Sequence, residues 1–182
     1  AGGSYPSGTS VTVSATANPG YSFASFTGGG CSSSPCSFTL TGDTTVTANF
    51  TANPYYINSY ADPAAGGSVT PGPGFQTFGS TVTYTQTTNS GYTFTGWSGL
   101  CSGTGACNVV VPVGGGSVIA NYTAVPSYTV TTAADPAAGG TVTGGGSYLS
   151  GSSVTVSQTP AVGFTFNSWT TTPAGLCTGV TG

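Results

Sequence analysis

Gly91-Tyr92-Thr93-Phe94-Thr95-Gly96-Trp97-Ser98-Gly99-Leu100-Cys101, closed by Cys107 six residues on, decides how the chain is read, because versions of it occur three times. Gly20-Tyr21-Ser22-Phe23 leads to Phe26, and Gly163-Phe164-Thr165-Phe166 leads to Trp169, just as Gly91 to Phe94 leads to Trp97. The leading glycines stand 71 and 72 residues apart. A period of that size marks an array of repeated units. The expected units are 1–53, lacking its first strands, 54–125, which is complete, and 126–182, lacking its last hairpin.

Around each copy of the stretch the residues alternate with period two. Val11, Val13 and Ala15 share one strand face, and the intervening hydroxyl residues share the other. Asn18-Pro19-Gly20 reads as a turn. Tyr21 and Phe23 have one parity and Phe26 the other, so either a bulge near Ser25 restores the face or Phe26 packs on the far side. Phe38 and Leu40, the turn Gly42-Asp43, and then Val46, Ala48 and Phe50 are expected to form a hairpin with an apolar inner face. The complete unit adds a strand near 55–60, the turn Asp62-Pro63-Ala64-Ala65-Gly66-Gly67, a short strand at 68–70 and the turn Pro71-Gly72-Pro73-Gly74. Six short strands and no helical periodicity predict an all-β chain, a tandem array of small antiparallel β units of about 72 residues each, stapled by disulfides.

Composition narrows the function classes. The chain has no Lys, Arg, His or Glu, and Asp43, Asp62 and Asp135 alone set its net charge of −3. Nucleic acids and anionic membranes are bound through clustered cations, so neither is an expected partner. No apolar run reaches the roughly 18–20 residues of a membrane span, so membrane insertion is not expected. With no Met at position 1 and no basic n-region, the chain reads as a mature or excised segment. Regular Val, Tyr and Phe positions argue against disorder despite 31 glycines and many hydroxyl residues. The sequence has no His or Lys to act as base, no paired carboxylates, no metal cluster beyond the cysteines and no cation-bearing phosphate loop, which predicts no catalysis, no metal and no cofactor.

Cys31 and Cys36 enclose four residues and Cys101 and Cys107 enclose five, each pair following the aromatic stretch by a similar short interval. Local disulfides in an oxidising compartment outside the cytoplasm are the expected reading. Cys177 has no partner up to Gly182, and by the spacing of the second copy its partner would be the next residue. A longer array is therefore expected, with strand donation from a neighbouring chain as the alternative way to cover the incomplete ends.

The segment from Gly96-Trp97-Ser98-Gly99-Leu100-Cys101 to Cys107, preceded by Val82-Thr83-Tyr84 and followed by Ala120-Asn121-Tyr122, resembles the divergent internalin-type B repeat. The resemblance covers all of the second copy and the surviving parts of the others. It implies a secreted or surface-anchored bacterial protein, a long tandem array, a structural or adhesive role and no catalytic residues. The chain departs from the family in Phe26, where a tryptophan is expected, and in Pro112-Val113-Gly114-Gly115-Gly116, where a charged turn is common.

Each motif has a bland reading beside a sharp one. Phe26, Trp97 and Trp169 could form a sugar-stacking platform, but recurrence in every unit with a plain Phe tolerated favours core anchors. Asp62 and Asp135 could ligate calcium, yet one carboxylate per unit falls far short of the 6–8 oxygen ligands required, and Asp before Pro starts a turn. Asn49 and Asn121 stand in Asn-aromatic-Thr sequons on the expected solvent face, so they are candidate glycosylation sites, with strand patterning as the other reading. The sequence thus predicts a structural segment of an extracellular bacterial fibre, stalk or filament, with neighbouring repeats or identical subunits as partners. The alternative is an adhesin whose aromatics engage surface polysaccharide.

Overall fold

The computed structural model describes residues 2–176. The first copy contains β1 (Ser10–Val13), β2 (Tyr21–Thr27), β3 (Cys36–Thr39) and β4 (Thr47–Ala52). The second contains β5 (Pro54–Asp62), β6 (Gly67–Thr70), β7 (Gly74–Thr77), β8 (Thr81–Thr88), β9 (Tyr92–Gly99), β10 (Cys107–Val110) and β11 (Gly116–Ala124). The third contains β12 (Ser127–Val130), β13 (Gly140–Thr143), β14 (Gly146–Leu149) and β15 (Ser157–Pro160). Apart from single 3-10 turns at Ala64–Gly66 and Ala137–Gly139, the regular structure among the described residues is all strand. The chain divides into two compact units after Thr123, the first of which holds both the first and second copies.

The second copy is a two-sheet sandwich. One sheet has the order β10-β8-β6 and the other β7-β5-β11-β9. Alternation along each strand sends Tyr84 and Val109 inward from the first sheet, and Ile57, Val118, Ala120, Tyr122 and Trp97 inward from the second. All are buried, and they form a single apolar core. The Tyr122 hydroxyl bridges the sheets, lying 3.0 Å from Gln86 Oε1 and 3.2 Å from the Thr87 carbonyl oxygen. Ser59, the buried polar residue of this region, donates to the Pro71 carbonyl at 2.8 Å and so enters the interior satisfied.

Three features depart from the sequence reading. The expected hairpin does not form, because β3 pairs with β1 and β4 with β2, and in the second copy β10 and β11 likewise lie in different sheets. Two successive strands with apolar inner faces cannot cover each other within one sheet. Crossing to opposite sheets lets the two faces meet. Secondly, a seventh strand, β7, starts at the last residue of the expected turn Pro71-Gly72-Pro73-Gly74 and runs through residues to which the sequence reading assigns no strand. Thirdly, one ladder is parallel: β11 pairs with β5 from Gly116↔Ile57 to Asn121↔Asp62. On its other side β11 runs antiparallel to β9, where Leu100 N–H donates to Ser117 O at 2.8 Å and Thr95 Oγ1 to Asn121 O at 3.0 Å. The all-β, disulfide-stapled repeat architecture stands, with this one parallel pair among the described ladders.

The third copy pairs β12 with β14 and β13 with β15, both antiparallel. Among its described residues no side chain is fully buried.

Candidate functional site

The recurring aromatic stretch begins with a glycine because a turn demands it. Tyr21 N–H bonds Asn18 O at 3.0 Å, Tyr92 N–H bonds Asn89 O at 3.2 Å and Phe164 N–H bonds Ala161 O at 3.0 Å, closing a four-residue turn before each stretch. The third turn residue is Gly20, Gly91 or Gly163, with φ of 90°, 83° and 87°. A side chain disfavours that region of backbone space, and glycine does not.

Downstream, the parity problem of Phe26 is solved by a bulge. The β2–β4 register shifts between Phe23, opposite Phe50, and Ser25, opposite Asn49, so that Phe26 falls opposite Ala48. Phe26 therefore returns to the face of Phe23, with ring centroids 4.8 Å apart. Phe94–Trp97 and Phe166–Trp169 repeat the arrangement, each at 5.4 Å. Phe26 and Trp97 are each only 6% exposed, while Trp169 is half-buried. The Trp97 indole N–H donates to Gly105 O at 3.1 Å, within the cystine loop.

An asparagine on the neighbouring strand braces the bulge. Asn121 Nδ2 donates to the Gly96 carbonyl and to Ser98 Oγ, both at 2.9 Å. Asn49 makes the same reach in the first copy, to Ser25 O, Ser25 Oγ and Thr27 Oγ1, at a looser 3.4 Å each. Both asparagines are half-buried. The nitrogen that an N-linked glycan would occupy at Asn121 thus already serves two acceptors.

Disulfides join Cys31 to Cys36 and Cys101 to Cys107, with Cα atoms 5.7 and 5.6 Å apart. Each spans the loop where the chain leaves one sheet and enters the other, between β2 and β3 or between β9 and β10. Cys177 lies outside the described residues. Asp62 and Asp135 are exposed and precede the two 3-10 turns, which are closed by Gly66 N–H to Pro63 O (2.8 Å) and Gly139 N–H to Pro136 O (2.7 Å). No grouping of three or more metal-ligating side chains occurs among the described residues.

Two residues have roles that the sequence reading does not assign: it places Tyr84 only in a strand, and it leaves Phe78 unread. Tyr84 is buried opposite Cys107, and its hydroxyl has no hydrogen-bond partner among the described residues. Burial pushes the pKa of Tyr84 up, and that of Tyr122 as well. The other residue is Phe78, which joins the first two copies. Its ring meets Tyr21 edge-on at 5.4 Å and Tyr55 at 6.3 Å, and a Cβ on Gly20 would clash with that ring. A single residue, Asn53, separates β4 from β5. Its N–H bonds Gly20 O at 2.8 Å, its carbonyl accepts from Phe78 N–H at 2.9 Å, and its Oδ1 accepts from Ser22 Oγ at 2.6 Å.

The divergent InlB B-repeat domain family matches the chain three times, over residues 1–54, 59–126 and 128–181, and the chain belongs to that family. No curated protein and no solved structure matched it. Two disulfides and this membership indicate an extracellular or surface protein. Among the described residues no helix is long and apolar enough to cross a membrane.

Proposed function

We propose that this divergent InlB B-repeat protein is a structural segment of an extracellular bacterial fibre, stalk or filament, with neighbouring repeats or identical subunits as its partners. The observation that supports this best is the joint between the first two copies. One residue links β4 to β5, and its three polar groups just described are all engaged, two with Gly20 and Ser22 of the first copy and one with Phe78 of the second, while the Phe78 ring packs on Tyr21 and Tyr55. A flexible string of beads would instead have a linker rich in Gly or Ser. A stiff joint passes orientation from repeat to repeat, which is what an extended support requires.

Composition supports the same reading. Trypsin-like proteases find no Lys or Arg to cleave, and a surface with so little charge associates readily. No catalysis is proposed, since the sequence has no His, Lys or Glu and its three Asp are far apart in sequence. Electron microscopy of the protein purified from its source tests the proposal. Filaments whose axial repeat matches one or a few of these units are expected, and dispersed monomers at all accessible concentrations would overturn it.

A further inference from the structure

Positions that the fold requires recur from copy to copy, as the aromatic stretch does. One exposed aromatic row does not recur. On the outer face of β5, Tyr56, Asn58 and Tyr60 follow one another at alternate positions, all exposed, with the tyrosines 47% and 40% accessible. Phe75 on β7, opposite Tyr56 in the register, is 71% exposed and stands edge-on to it, with centroids 5.3 Å apart and planes at 76°. The matching positions of the third copy are Thr129, Thr131, Ala133 and Ser147. The matching strand pair, β12–β14, therefore forms without the aromatics, so the pairing does not require them.

We infer that this row of the second copy is a binding strip for a neutral polysaccharide. Tyr56 and Tyr60 are four residues apart on one strand, about 13 Å at the usual rise, a span that a short oligosaccharide covers. Each ring offers a flat apolar surface for the C–H face of a sugar and a hydroxyl at its rim. Asn58, between them, presents an amide that can donate to and accept from sugar hydroxyls. Phe75 holds the Tyr56 ring from the side, and Tyr60 lies beside Ile119 across the parallel ladder. The strip carries no cation to attract an acidic polymer, and Asp62, next on the same face, repels one. A contact between copies would favour an unbroken apolar surface, whereas this row alternates ring, amide and ring. The inference does not depend on the fibre proposal, because the strip would act equally on a monomer.

The test is affinity electrophoresis of the full 182-residue chain in native gels cast with hydroxyethylcellulose or galactomannan, with alginate as the acidic counterpart. Retardation by at least one neutral polymer and none by alginate is expected. The triple variant Y56T/Y60A/F75S, which installs residues that the third copy carries at those positions, should weaken retardation at least tenfold, and N58T severalfold. Should the triple variant melt abnormally, Tyr60→Ala and N58T decide by the same loss. No retardation by either neutral polymer, equal retardation by alginate, or undiminished retardation of the folded variants would overturn the inference. So would sedimentation velocity showing that the parent self-associates through this face and Y56T/Y60A/F75S does not.

Discussion

The first and second copies carry the same aromatic stretch and the same cystine loop, yet they end with unequal interiors. In both, strand pairing follows one plan: β1–β3 matches β8–β10, and β2–β4 matches β9–β11. The second copy buries nine hydrophobic residues in its core, whereas Phe26 and Cys31 are the buried hydrophobics of the first. The difference lies in β5, β6 and β7, which have no counterpart in the first copy among the described residues. The repeated sequence thus gives both copies the same strand pairing, and the fuller burial of the second comes with the three strands that precede its aromatic stretch.

The largest expected contrast tests that division directly. Trp97→Ala should cost the second copy about 3–5 kcal/mol, the range for a buried large aromatic, plus the loss of its bond to Gly105. Phe26→Ala should cost the first copy less than that range. Hydrogen exchange, which reads opening energies segment by segment, would separate the two, and equal losses would break the comparison.

Disulfide removal should respond differently. A cystine acts mainly by restricting the unfolded chain, and the two loops are nearly the same length. Cys31→Ser with Cys36→Ser, and Cys101→Ser with Cys107→Ser, should therefore each cost about 2 kcal/mol, whatever the surrounding core. Thermal melts of the paired variants would show it. A much larger loss in the second copy would mean that its cystine acts through packing.

The bracing asparagines should give a smaller difference. Asn121→Ala leaves the Gly96 carbonyl and Ser98 without their donor and should destabilise by about 1–2 kcal/mol, while Asn49→Ala, with longer bonds, should cost about 0.5 kcal/mol or less. Denaturant midpoints would measure both. Peptide mapping of native material would show Asn121 unglycosylated if its amide is held as described.

The smallest contrast is in pH. Tyr84 and Tyr122 have pKa values raised in the folded state by burial, so the folded protein holds their protons longer than the unfolded chain. Their contribution is complete below the ordinary tyrosine pKa of about 10 and is lost as pH rises through the folded values. Melting temperature should stay level from pH 5.5 to 8 and fall above about pH 10. The first copy has Val13 and Phe50 in those two places, so alkaline loosening should begin in the second.

Much of the fold was legible because alternation reveals faces. The parity of Phe26 called for a bulge or a change of side, and the β2–β4 register contains the bulge. The pairing of Cys101 with Cys107 was legible from a loop short enough to close locally. Alternation does not reveal partners, however. Val109 and Val118 read equally well as a hairpin or as two strands facing each other across a core. The parallel β5–β11 ladder joins residues about sixty apart, beyond any local signal. Phe75 and Phe78 follow a turn-rich segment with opposite parities, so neither the edge strand nor the joint stood out from the pattern.

That parallel ladder has a mechanical consequence. Tension applied along an array would enter the second copy at the start of β5 and leave at the end of β11. Because the two strands point the same way, pulling slides them past each other instead of peeling them apart from one end. The evenly spaced bonds of a parallel pair then share the force together, and rupture requires them to fail in concert. Resistance to stretching would be governed by this shear barrier, a rate quantity distinct from the equilibrium stability of the core.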